Sequence, residues 1–136
     1  TSQWGRLIES LVEGDLIDLL NAKGIMVERT QERVKGSHKG NPYEFDIIAG
    51  NGKEVVVVEV KTTLRPKDVK HFKAKLNQVK TLISDYKDKT IYGAMAFLRA
   101  DAASDTMAEH QGMFVIKATG SSASIANSAG FIPKAF

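Results

Sequence analysis

The chain contains no cysteine. That excludes a disulfide framework, a thiol nucleophile and any zinc site built on thiolates. It suits a reducing compartment, so a cytoplasmic protein is expected. Long apolar runs are lacking too: the valine run Val55 to Val58 falls far short of the roughly 20 residues a transmembrane helix needs. Residues 1–14 mix charge throughout, unlike a secretory leader. Aromatic residues make up only 7% of the chain, with one tryptophan, which leaves little to stack on single-stranded bases. The first residue is not methionine, which reads as the C-terminal part of a longer chain.

What is present fits one globular domain over residues 1–136, long enough to bury a core without staples. The net charge of +3 says little, but its distribution is uneven. Residues 61–89 carry nine basic groups against three acids, whereas residues 1–60 carry ten acids against seven bases. A basic segment directly after an acidic cluster suits a polyanion reader beside a cation site. A solvated lysine-rich helix face accounts for the same stretch equally well.

The apolar spacing predicts a helix from Gln3 to Ala22 (Trp4, Leu7, Ile8, Leu11, Ile17, Leu20), stopped at Lys23-Gly24. A half-buried strand is expected over Ile25 to Val34, then a loop from Lys35 to Asn41. Tyr43 to Ala49 and Glu54 to Thr62 are the best strand candidates, joined by a two-residue type I′ turn at Asn51-Gly52. Pro66 opens one long helix, with Val69, Phe72, Leu76, Val79, Ile83 and Tyr86 as its apolar stripe. A strand over Ile91 to Leu98, a helix over Ala102 to Gln111 and a strand over Met113 to Lys117 follow. The order α-β-β-β-α-β-α-β predicts a mixed α/β domain, partly parallel because helices follow the third and fourth strands.

The Asn51-Gly52 turn sets a register in which Gly50 faces Lys53 and Asp46 lies opposite Val57, diagonal to Glu59. Strand alternation then puts Asp46, Glu59 and Lys61 on one face. The other face, Phe45, Ile47, Ala49, Val56, Val58 and Val60, is apolar and requires burial. Neighbouring carboxylates repel, and desolvation adds to the cost, so such pairs persist where a cation sits or a proton is shared. Mg²⁺ takes oxygen ligands and commonly uses one or two carboxylates with phosphate oxygens. A lone Asp capping a turn, or Glu-x-Lys as a solvated edge ladder, explains each piece separately. The combination across a hairpin at the end of a valine run is more specific.

The segment FDIIAGNGKEVVVVEVKTT resembles the core of the PD-(D/E)XK nuclease superfamily, most closely uncharacterised bacterial members that often carry a coiled coil upstream. The resemblance spans Trp4 to Phe97. It implies a restriction-endonuclease-like fold, with a mixed β-sheet core flanked by helices. It also implies a DNA nuclease that hydrolyses phosphodiester bonds with a metal-activated water. Asp46 and Glu59 match the metal-binding acids, Val60 the carbonyl that often joins them, and Lys61 the catalytic lysine. Glu9 best matches the glutamate that the first helix commonly adds, with Glu13 one turn on. The cofactor implied is Mg²⁺, with Mn²⁺ as substitute; the partner implied is DNA, without a membrane, and a homodimer through a coiled coil before Trp4. Phe45 stands where the superfamily's name has proline, and Gln78 lacks a tyrosine four residues on. A catalytically silent nucleic-acid-binding module on the same fold is the alternative.

For nucleic-acid contact the candidates are Lys67, Lys70 and Lys73, continuing through Asn77, Lys80 and Lys87 as a stripe on the Pro66 helix. Lys35 and Lys39, with His38, form a second candidate contact in the loop before Asp46. No zinc finger or helix-turn-helix pattern is visible, so structure-selective or non-specific recognition is expected.

Overall fold

A computed structural model describes residues 2–136 of the chain. Helix α1 (Gln3–Ala22) begins where the Ser2 hydroxyl accepts the Gly5 amide proton at 3.0 Å. Its residues Ile8, Val12, Leu16 and Leu20 recur every four positions and are buried. Trp4 and Leu7, at the same end of the helix, are exposed. Three strands follow, β1 (Arg29–His38), β2 (Asn41–Gly50) and β3 (Glu54–Leu64). Then come α2 (Pro66–Leu76), α3 (Val79–Leu82), a 3₁₀ turn (Ser84–Tyr86), β4 (Thr90–Ala100), α4 (Ser104–His110), β5 (Phe114–Ala118) and β6 (Ala123–Ile125).

The six strands lie in chain order. β3–β4 and β4–β5 are parallel and the other pairs antiparallel, as helical crossovers after the third and fourth strands require. α1 covers one face over Ile47, Ala49, Val56, Val58, Ala94, Ala96 and Ile116. α2 and α4 cover the other, over Ile48, Val55, Val57, Met95, Phe97 and Val115. Both faces of the central strands are therefore covered, which is why four consecutive valines fit in β3.

Several boundaries differ from the sequence expectation. Ile25 and Val27 are buried against α1 but unpaired; their alternation comes from packing, and β1 starts only at Arg29. The expected loop from Lys35 to Asn41 is mostly strand, closed by Lys39-Gly40 between the paired His38 and Asn41. Both turn residues have positive φ (50° and 81°), the type I′ signature that the sequence predicts at Asn51-Gly52. Asn51 instead closes its hairpin through its side chain: Oδ1 accepts from the Lys53 and Glu54 amides at 2.9 and 2.7 Å. The long Pro66 helix ends at Leu76. A turn at Asn77-Gln78 redirects the chain so that Val79 stays buried while the following residues lead back to the start of β4. β6 was not anticipated; its first residue, Ala123, donates its amide to Asp15 Oδ2 at 2.9 Å.

Candidate active site

The β2–β3 ladder pairs Gly50 with Val55, Ala49 with Val56, Ile48 with Val57 and Ile47 with Val58, and stops there. This register is shifted by two residues from the one the Asn51-Gly52 turn implied, because four residues (Asn51 to Glu54) separate the last pair. Alternation has period two, so an even shift keeps every side chain of the ladder on its expected face. Beyond Ile47 the strands diverge. Asp46 Oδ2 accepts the Val60 amide proton at 2.8 Å, and this side-chain bond replaces the next rung. On the other side of β2, neither Asp46 nor the facing Arg33 is part of the β1–β2 ladder, and Arg33 takes φ 51°. The break reverses the alternation across Asp46, so Phe45 packs in the α2 layer with Ile48, not with Ile47 as expected.

The fork between β2 and β3 opens into a cleft of about 300 Å³ whose lining includes Glu9, Asp46, Glu59, Val60 and Lys61. The four acid and lysine positions read from the sequence are therefore brought together, with Val60 between them. Glu9, only 4% exposed, lies on the buried side of α1. Glu13 is held elsewhere, accepting from the Thr30 hydroxyl, which separates the two α1 candidates. Burial first, and then the Asp46 charge, raise the Glu9 carboxyl above its usual pKa; Arg33, whose Nε stands 3.4 Å from Glu9 Oε1, pulls it partly back.

Three further residues shape the site and were missed. Lys75 Nζ lies 3.2 Å from Glu59 Oε1, donates to the Glu44 carbonyl at 2.9 Å and stands 5.0 Å over the Phe45 ring. Lys61 Nζ is 3.9 Å from Asp68 Oδ1. Asp68 also accepts the Arg65 amide at 2.9 Å, so the first turn of α2 holds the carboxylate that faces the lysine. Asp68 was legible as the third helical residue after an N1 proline. Arg33 and Lys75 carried no local pattern; their roles arise from packing.

Of the lysines expected to meet nucleic acid, Lys35 and Lys39 are exposed on the β1–β2 hairpin, and Lys67 and Lys70 on α2. Lys73 Nζ turns to Gln111 Oε1 at 2.7 Å. Asn77, Lys80 and Lys87 lie beyond the end of α2, so the expected single-helix stripe does not form.

Among the described residues no three His, Asp or Glu side chains are grouped closely enough to hold one ion between them. The anionic side chains of the cleft, Glu9, Asp46 and Glu59, nonetheless offer only oxygen, with the Asp46 charge acting on buried Glu9. Two carboxylates, a main-chain carbonyl and water suit a hard cation such as Mg²⁺ and not a soft one. The residues fit that group. Among the described residues no helix is long and apolar enough to cross a membrane.

No family model matches the chain. Its fold is similar to that of a protein of unknown function, AF1548, with a TM-score of 0.54 at 15% identity, covering 79% of this chain and 56% of that one. It is also similar to a repair endonuclease from Pyrococcus abyssi, with a TM-score of 0.52 at 16% identity, covering 79% of this chain and 46% of that one. The chain thus spans about half the length of these solved chains. The likeness is one of fold: a six-stranded mixed sheet flanked by helices, restriction-endonuclease-like, as the sequence led us to expect.

Proposed function

We propose that the chain is a metal-dependent DNA nuclease of the PD-(D/E)XK type. The observation that carries this reading is the Asp46–Val60 bond at the fork, which ties the acid of β2 to the Glu59-Val60-Lys61 segment of β3 beside buried Glu9. The endonuclease fold of the Pyrococcus abyssi protein agrees with it. Asp46, Glu59 and the Val60 carbonyl would hold Mg²⁺, or Mn²⁺ in its place, with Glu9 supporting the ion or its water. The bound ion supplies Lewis acidity toward a phosphate oxygen and an acidified water, worth several kcal/mol. Lys61 would orient that water beside the phosphate, and Asp68 would position the lysine. Lys35, Lys39, Lys67 and Lys70 face the DNA backbone. One observation favours a second reading, a silent DNA-binding module: Lys75 already neutralises Glu59.

Incubation with linear, supercoiled and branched DNA, with Mg²⁺, Mn²⁺ or chelator, separates the two. The nuclease reading expects cleavage with metal and none in chelator. Lys61→Ala should lower the rate by about 10²–10⁴-fold, the usual worth of a positioned proton-transfer group. Binding without cleavage under every metal would leave the silent module as the answer. Cleavage that survives Lys61→Ala would show that the site is misassigned.

A further inference from the structure

From Val34 to Phe45 the β1–β2 hairpin is paired only with itself. Its ladder runs Val34–Phe45, Lys35–Glu44, Gly36–Tyr43, Ser37–Pro42 and His38–Asn41, while β2 has no β3 partner beyond Ile47. The result is a two-stranded arm whose root, Arg33 and Asp46, is at the cleft and whose tip is Lys39-Gly40. Six residues of strand reach about 20 Å.

The arm is braced on one side. Phe45 is buried in the α2 layer, Val34 and Tyr43 pack against that layer, and the Tyr43 and Phe45 rings lie 5.9 Å apart. Gly36 leaves room for the Tyr43 ring, which a Cβ there would displace. Lys75 ties the Glu44 carbonyl to α2. The outer face differs: Lys35, Ser37, Pro42 and Glu44 are all exposed, with Lys35 Nζ 4.0 Å from Glu44 Oε1, and exposed Lys39 and Asn41 lie at the tip. A stiff ribbon with a basic, hydrogen-bonding tip has the dimensions of a groove reader. The major groove of B-form DNA, about 12 Å wide, admits a two-stranded β-ribbon. The deep, narrow major groove of A-form RNA does not. The tip carries no Phe, Tyr or Trp on which an unpaired base could stack.

We propose that the β1–β2 arm enters the major groove of B-form DNA, so that duplex DNA is the substrate presented to the cleft at its root. The substrate assignment rests on the nuclease reading; the groove contact does not. With the root at the scissile phosphate, the tip touches the duplex within about half a helical turn of the cleaved bond, on one side only.

The test measures binding in chelator, where no turnover is needed. Fluorescence anisotropy across a salt series would compare a DNA duplex of about 20 bp, one of its strands alone and an RNA duplex of the same sequence. Two variants accompany the wild type. Lys39→Glu changes only the exposed tip. An arm-shortened form replaces residues 37–42 with Asn-Gly, keeping Gly36 paired with Tyr43. Shortening should weaken duplex binding by about tenfold or more and lower the salt slope by roughly one unit, the share of one phosphate contact. Lys39→Glu should lower the slope similarly, and single-strand affinity should change less than about twofold in both variants, since the lost contacts are those of a groove. Equal losses for single strand and duplex, unchanged duplex affinity, or RNA duplex bound as tightly as DNA would each overturn the arm's assignment. Arm-dependent duplex binding by a protein that cuts nothing under any metal would support the arm and sink the nuclease reading alone.

Discussion

Asp46→Asn should abolish cleavage almost completely, by about 10³-fold, while leaving the protein folded. The size follows from losing several kcal/mol of metal-dependent stabilisation at about 1.4 kcal/mol per tenfold. Asparagine suits the test because Asp46 has two tasks. One oxygen caps the Val60 amide where the β2–β3 ladder ends, and the carboxylate charge faces Glu9. The amide oxygen of asparagine can still accept from Val60, so the fork keeps its closing bond. Alanine would also orphan that N–H, at about 1–3 kcal/mol if no water replaces the acceptor. Matching unfolding curves for wild type and Asp46→Asn in chelator, with turnover lost only in the variant, would assign the effect to charge. Full cleavage by Asp46→Asn would remove Asp46 from the metal site.

Mg²⁺ should raise the thermal stability of the wild type, and chelator should reverse the gain. At a hundred times its dissociation constant, a ligand that binds only the folded state adds about 2.7 kcal/mol. For a domain of this size that corresponds to roughly 5–15 °C in Tm. The stability in chelator should depend on pH with a definite sign. Burial and Asp46 raise the folded-state pKa of Glu9, so the folded protein holds that proton more tightly than the unfolded chain. Glu9 therefore favours the folded state below its unfolded pKa, and this contribution is lost as pH rises through the folded pKa. Glu9→Gln, which cannot ionise, should melt above wild type in chelator at neutral pH, and the two should converge in acid. Mg²⁺ should then raise the Tm of Glu9→Gln less than that of wild type. Differential scanning fluorimetry over pH and metal concentration reads all of these. A Glu9→Gln variant that melts below wild type in neutral chelator would mean that the Arg33 pair outweighs burial and the Asp46 charge.

The sequence carried the core of this arrangement because most of it is local. The valine run, the acid before it and Glu-x-Lys after it lie within one hairpin, where period-two alternation decides facing. The turn was misassigned, yet the facing survived along the paired rungs from Ile47 to Gly50: Asn51 forms a side-chain turn and shifts the register by two. Phe45 was placed wrongly because alternation cannot foresee a break, and the break is the site itself. The long helix failed at Asn77 since its apolar spacing continues into α3 while the backbone does not. Arg33 and Lys75 were illegible for another reason. Each answers a carboxylate 24 or 16 residues away, and only packing makes those pairs neighbours.

The chain-ordered sheet bears on how the protein acquires its chemistry. Each strand pairs with the one just before it in sequence, and the Asp46–Val60 bond spans 14 residues. Local closures of this kind are entropically cheap and fast compared with long-range pairing. The three-stranded meander holding Asp46, Glu59 and Lys61 needs neither parallel crossover to define its register. The reactive end of the molecule thus belongs to its most locally encoded segment, while α1, with Glu9, adds its carboxylate by docking across that segment.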